Sequence, residues 1–450
     1  MRKAGKGKIV WTVLAAVLLL LFFLPQIASM NFGKKWVIKA MEARLQGPVS
    51  IDSLSLSWFG PQTLKGIHFS NAHFKGDVEK LQTGAPLWSF SKVKGPFLIQ
   101  NGSLSSLETP NAAIRSINGE IKGTQFHFSA ESSSGTLAAD GTYVSENQFA
   151  LEIDLKQFPS AALGLFSSSL RTYLRNWAPL LGPLFNASGK IENPGPVDLV
   201  LTSDHFQTVL RGILNAGSFR LREPLSARFD VTPELSQTLL RDANPLFLTS
   251  LASKRPVELQ ISPSGFILPL SPFSLEKFGI GQAVLDMGQI RCRIGKSFAS
   301  LIALLKASRL SNAREVDAWF TPLSFSLKNG ILHTGRMDAL IADLHICTWG
   351  DIDLIRDRLK MTLGLPADTL RQAFGIKNLS DSFVLKVPMT GSTQDPDLEK
   401  GPAAAKIAAM IAGQHIPKKG EIFGGWINRF IQTQEETDVP PPSRPFPWER

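Results

Sequence analysis

Hydrophobic positions in this chain are first contiguous, then three to four apart, then two apart. Residues 9–24 are apolar with Thr12 as the one interruption, and Pro25 closes the run. That length is slightly short of the ~20 residues of a usual spanning helix and longer than the ~7–15 residues of a signal core. Ile27, Ala28, Ser29 and Met30 give no small-x-small cleavage site. The expectation is an uncleaved transmembrane anchor over residues 1–29, with a cleaved secretory signal as its rival. Arg2, Lys3, Lys6 and Lys8 precede the run, so its basic tip belongs in the cytoplasm and the rest of the chain outside it.

Residues 30–46 take a helical period. Val37, Met41 and Leu45 share one stripe, with Phe32 and Trp36 toward the membrane side and lysines opposite, and Gly47-Pro48 ends the pattern. From there the period becomes two. Val49 and Ile51 alternate, then Leu54, Leu56 and Trp58 take the opposite parity, which predicts a bulge near Asp52. Phe126, Phe128 and Ala130 share a side; Phe149, Leu151, Ile153 and Leu155 alternate with Ala150, Glu152, Asp154 and Lys156. The stretches SSSGT, ADGT and SEN between such runs carry turn chemistry. The pattern is an antiparallel meander whose strands have one apolar and one wet face.

Helical periods interrupt it at 159–183 (Leu163, Phe166, Leu170, Leu174, Trp177), within VTPELSQTLLRDANPLF, at 297–309 and at 366–374. In the second of these, Thr232 is placed to cap and Pro233 to open the first turn. A further meander spans 320–363, where Leu323, Phe325 and Leu327 alternate up to Asn329-Gly330, a strong hairpin signal. A strand ending at Val387-Pro388 leads through a tight turn to an alanine-rich helix. GEIFGGWINRFIQ predicts an amphipathic helix within 414–432, and the proline-rich residues 433–450 an extended or disordered tail. With roughly twenty strand-like segments and few helices, residues 47–413 read as one mainly β body.

The net charge of +10 changes little once it is located. Residues 1–46 hold eight Lys/Arg against Glu42 alone, leaving +3 for the other 404 residues. Charge beside an apolar anchor attracts anionic headgroups, and no basic patch with interleaved aromatics is left to follow a nucleic acid. Cys292 and Cys347 permit one disulfide in an exported chain without requiring it; two buried free thiols are the equal alternative.

Catalytic motifs are missing. There is no G-x-S-x-G, H-E-x-x-H or C-x-x-C. FGIGQAV has Val284 where a dinucleotide loop needs its third glycine, and RIGKS has Ile290 where a phosphate loop needs its first. The histidines at 68, 73, 127, 205, 333, 345 and 415 are scattered; His345-x-Cys347 shares a strand face but reads as an ordinary strand pair. No enzyme, cofactor or metal is expected.

The segment GPVSIDSLSLSWFGPQTLKGIHFSNAHF (47–74) and the strand end Val387-Pro388 with its turn and helix TGSTQDPDLEKGPAAAKIAAMIA (387–412 together) resemble AsmA-like proteins of Gram-negative envelopes, with VTPELSQTLLRDANPLF also similar. The resemblance is one of layout over most of the chain, sharp only at its two ends, and its motifs carry no catalytic residue. It implies a single N-terminal transmembrane helix followed by an elongated, curled antiparallel sheet with a few short helices. Its concave face would be an apolar groove, tethered to the inner membrane and projecting into the periplasm. It also implies a lipid-carrier role in outer-membrane homeostasis. On that reading strand parity nominates Phe126, Phe128, Phe149, Leu151, Ile153, Leu155, Leu323, Phe325 and Leu327 as groove-lining. Partners would be phospholipid, the inner membrane and an outer-membrane or periplasmic protein, since ~20 strands at ~4.8 Å reach ~100 Å at most. The competing architecture is a closed sandwich or barrel, and the competing function a scaffold that positions assembly partners.

Overall fold

The computed structural model describes residues 29, 31–58, 60–72, 74–84, 97–106, 113–145, 147–165, 178–270, 272–293, 314–341, 343–377, 379–414 and 438–449. The anchor run at 9–24, most of the helical pattern at 159–183, the stretch 297–309 and the helix within 414–432 lie outside them. Among the described residues no helix is long and apolar enough to cross a membrane. The chain is mainly β, antiparallel throughout, with few short helices. Residues 47–413 read as one body in the sequence, but the fold divides into two compact units near Pro194.

The first unit is a simple meander. α1 (Asn31–Leu45) leads into β1 (Val49–Ser55), β2 (Gln62–Ser70), β3 (Phe74–Thr83), β4 (Phe97–Ser106), β5 (Ala113–Lys122), β6 (Gln125–Ser132), β7 (Thr136–Ser145), β8 (Gln148–Pro159) and β9 (Leu184–Asn193). Each strand pairs antiparallel with the next. The parity switch near Asp52 is not a bulge, because the register is the same on both sides: Ile51 faces Ile67 and Leu54 faces Leu64. Both strands turn over together, helped by Gly66 in the left-handed region (φ +60) opposite Asp52. The turnover runs on through β3 to β4, where Asn101 is also left-handed (φ +48), and is absorbed by a register shift between β4 and β5.

ADGT is also not a turn. Asp140 and Gly141 lie inside β7, where a Cβ on Gly141 would stand 2.9 Å from the Phe126 ring. The glycine is there to let that ring lie flat on the sheet.

The second unit pairs in branches. β10 (Gly195–Ser203) pairs β11 (Phe206–Asn215), which pairs both β12 (Ser218–Leu221) and β13 (Leu225–Phe229). One ladder continues through β15 (Val257–Ile261), β17 (Ile280–Asp286) and β20 (Leu323–Lys328), with β16 (Leu268–Pro269) on β12. The other runs through β14 (Ser250–Ser253), β18 (Gln289–Arg293) and β19 (Glu315–Phe320). Both meet the long β21 (Ile331–Ile341), which continues to β22 (Leu344–Asp353), β23 (Arg358–Pro366), β24 (Val384–Gly391) and β25 (Pro396–Leu398). Asn329 and Gly330 form the expected tight turn, both left-handed.

Side chains of both ladders share one buried cluster, including Phe229, Val257, Leu285, Ile290, Ala318 and Phe320. Helical pieces complete it. Thr232 Oγ1 accepts from the Leu235 N–H at 3.2 Å, starting the helical turns that bring in Leu235, Leu240 and Phe247. α2 (Ala367–Phe374), ended by left-handed Gly375, adds Leu370, and α3 (Lys400–Gln414) adds Ala403, Ile407 and Met410. Each large side chain buried this way contributes about 1.5–3 kcal/mol.

The C-terminal tail is a further correction. Residues 438–446 lack regular structure, but the chain is docked, and Pro447–Glu449 forms a 3-10 turn. Phe446 is buried and stacks on Trp448 at 4.7 Å, while the Pro440 carbonyl accepts from Arg336 Nη1 at 3.1 Å. Proline loses little entropy on docking, and two aromatics supply apolar area that composition alone does not weigh.

Candidate functional site

In the first unit, the cross-strand registers join apolar side chains into continuous rows. One row runs Leu54, Leu64, Leu81, Ile99, Gly119, Phe128, Ala139, Ile153, Gly189. A second runs Ile51, Ile67, Val78, Gly102, Ile117, Ala130, Leu137, Leu155, Ala187. A third begins at β4: Phe97, Ile121, Phe126, Gly141, Leu151, Ile191. The first two rows lie on opposite strand parities across β1–β4 and on one parity from Ile117 and Gly119 onward, after the register shift between β4 and β5; beyond it a one-residue slip would break all three.

The opposite face of the same strands is wet. Glu120, His127, Asp140, Glu152 and Lys190 form one cross-strand row. Polar contacts lace it, among them a His127 Nδ1–Asp140 hydrogen bond at 2.5 Å and a Lys190–Glu152 ion pair at 3.2 Å. Farther along, Asp77 sits 2.5 Å from His68 and raises its pKa, mainly through their hydrogen bond.

Coverage of the apolar face is uneven. α1 lays Val37, Ile38, Met41 and Leu45 on Val49, Ile51, Ile67 and their neighbours over β1–β3. At the far end the Ser160–Leu165 turn leaves β8 and also touches β4, four strands away, so the sheet curls there. Ile114, Ala130, Phe158 and Ala162 are fully buried. Between these ends Phe126, Phe128, Phe149, Leu151 and Ile153 stay half-buried, and Ile121 and Tyr143 are 41% and 51% exposed. Gly119 and Gly141 seat the Phe128 and Phe126 rings, which smooths the surface.

The structure thus brings Phe126, Phe128, Phe149, Leu151, Ile153 and Leu155 onto one face, with Leu155 the most buried. The other three nominees sit elsewhere. Leu323 has no exposed surface and Leu327 4%; both belong, with Phe325 beside them, to the packed interior of the second unit. Alternation alone could not separate a half-buried face from one fully covered by helices and a second ladder. The cysteines are both free. Cys292 lies 4.0 Å from Ser250 Oγ and Cys347 packs against Gly364, so each thiol is enclosed in its own ladder. Burial pushes the Cys292 thiol up to about 12 and the Cys347 thiol higher still.

A second constellation escaped the sequence reading. Arg336 holds Asp338 bidentately, Nε at 3.0–3.1 Å and Nη2 at 2.7 Å, and Asp338 is fully buried. His345 places Nε2 3.0 Å from Asp338 and Nδ1 2.8 Å from Asp368. With a carboxylate on each ring nitrogen, both nitrogens donate and the ring is an imidazolium. Phe446 and Trp448 of the tail pack against it at 5.0 and 5.6 Å. Burial works against the charge, yet the hydrogen bonds and charges of Asp338 and Asp368 outweigh it and raise the pKa from 6.5 to about 9. The sequence pattern gave Arg336 and Asp338 no role and His345 only that of an ordinary strand residue; β21 and β22 are buried on both faces here, which the local pattern does not reveal. Among the described residues no group of His, Cys, Asp and Glu is placed to hold a metal ion.

This geometry predicts a pH dependence. A raised folded pKa means stability is fully present below about 6.5 and lost as pH rises through about 9. Denaturant melts should show wild type losing roughly 3 kcal/mol relative to His345→Gln across that window. A constant difference between the two proteins would mean the ring is neutral throughout.

No protein-family model, curated protein or solved structure matches the chain.

Proposed function

We propose that the first unit is an apolar trough for the acyl chains of phospholipid, carried by an inner-membrane-anchored chain whose body lies in the periplasm. The observation that supports this best is the set of three unbroken apolar rows, partly exposed on one face while the other face is charged. Soluble proteins seldom leave such a surface without an occupant. A lipid chain withdrawn from a bilayer loses ~0.8 kcal/mol per CH₂ exposed to water. A trough spanning several strands at ~4.8 Å each is long enough to shield most of a chain. The AsmA-like layout of residues 47–74 and 387–412 and the apolar run at 9–24 point the same way. Nothing in the described side chains suggests chemistry on the lipid, so the proposed role is binding and transfer without catalysis, in support of outer-membrane homeostasis.

The second unit favours a different part of the account. Its sheet faces are packed on each other and on helices, as a scaffold's would be, so positioning an envelope partner is its proposed task. Mass spectrometry of the full chain, purified in detergent and exchanged extensively, tests the carrier reading. Phospholipid retained near one to a few molecules per chain is expected; a lipid-free chain that still supports envelope function would leave only the scaffold.

A further inference from the structure

The outward face of α1 has a composition that its fold does not explain. Its inner residues Val37, Ile38, Met41 and Leu45 pack on the first hairpin, Asn71 Nδ2 donates to the Leu45 carbonyl at 3.2 Å, and Glu42 Oε1 accepts from the Val49 N–H at 3.4 Å. Lys34 turns back to the Asp52 carbonyl at 3.2 Å. The helix is thus a fixed part of the unit. Its exposed positions are Lys35, Trp36, Lys39, Ala40, Ala43 and Arg44, spaced as one helical face, so Trp36 (66% exposed) lies with the lysines and not opposite them as the sequence pattern suggests. Glu42, the sole carboxylate of residues 1–46, is spent on the inner side.

We propose that this face docks flat on an anionic lipid leaflet. Three cations without a carboxylate match a negatively charged surface, and tryptophan is the side chain best suited to the headgroup layer. The two alanines keep the face low enough for close approach. The sequence supplies proximity: six residues separate the apolar run at 9–24 from the start of α1, a span of at most ~25 Å. Docking would hold β1, and with it the α1-covered end of the trough, at the membrane surface. This inference rests on residues 9–24 acting as an anchor, and it is independent of whether the trough holds lipid.

The test uses the full chain in vesicles of phosphatidylcholine, with or without phosphatidylglycerol, carrying lipids brominated at shallow or deep acyl positions. Trp36 is one of nine tryptophans, so its signal is the difference between wild type and Trp36→Phe. That difference should be quenched more by shallow than by deep bromines and should grow with phosphatidylglycerol. Lys35→Gln and Lys39→Gln should each lower the docked-to-free ratio roughly fivefold, at ~1 kcal/mol per charge. Protein that fails to float with the vesicles overturns the anchor and this inference together. Protein that floats but shows no Trp36-specific quenching overturns the docked helix alone.

Discussion

Asp338→Ala should lower the stability of the second unit by about 3–5 kcal/mol, the largest effect expected of any single change outside the apolar core. The carboxylate is fully buried and neutralises two cations, Arg336 by a bidentate contact and His345 through Nε2. Removing it leaves the guanidinium, with 6% of its side chain exposed, without its bidentate acceptor, and strips the imidazolium of one of its two carboxylates. The Thr321 hydroxyl, which accepts from the Asp338 N–H at 2.8 Å, keeps the backbone in place, so the loss is electrostatic. The double change Arg336→Met with Asp338→Leu should cost less than Asp338→Ala alone, because it removes both charges together. Urea melts followed by circular dichroism measure both; a single-change penalty under about 1 kcal/mol would mean water reaches the cluster.

Ile153→Asp should abolish lipid retention while the first unit stays folded. Ile153 lies between Ala139 and Gly189 in the first apolar row and is only half-buried, so a carboxylate there can still reach water in the empty protein. An acyl chain laid over it would seal that charge in a dry environment, at a penalty of at least 2 kcal/mol, so retained phospholipid should fall at least about tenfold. Glu152→Ala, one residue away on the wet face, should leave retention unchanged. Equal loss in both variants would indicate general damage to the sheet.

Alternation made β6 and β8 legible, since a period of two survives from Phe126 to Ala130 and from Phe149 to Leu155, whereas β7 between them carries turn chemistry in its sequence. Local chemistry was equally plain at Thr232-Pro233, Asn329-Gly330 and the alanine-rich α3, where a cap, a turn or a helix depends on neighbouring residues only. Tertiary facts were not legible. Gly141 signals a turn in isolation, and only the neighbouring strands, through the Ala150 carbonyl and the Phe126 ring, explain it within β7. Leu323 and Ile153 sit in indistinguishable patterns; one is sealed beneath a second ladder and helices, the other is not. The Asp338–His345 cluster was likewise not legible, because its burial comes from chain segments up to about a hundred residues away, such as the strap at Pro440.

Face-specific photocrosslinking reaches the central claim most directly. A benzophenone amino acid placed at Ile153 or Phe128 points from the apolar rows, whereas at Asp154 or Ser129 it points from the wet face one residue away. With the chain expressed in cells and its adducts read by mass spectrometry, phospholipid should be captured from 153 and 128 and not from 154 and 129. Capture of lipid equally from both faces, or none from 153 and 128, would contradict the trough.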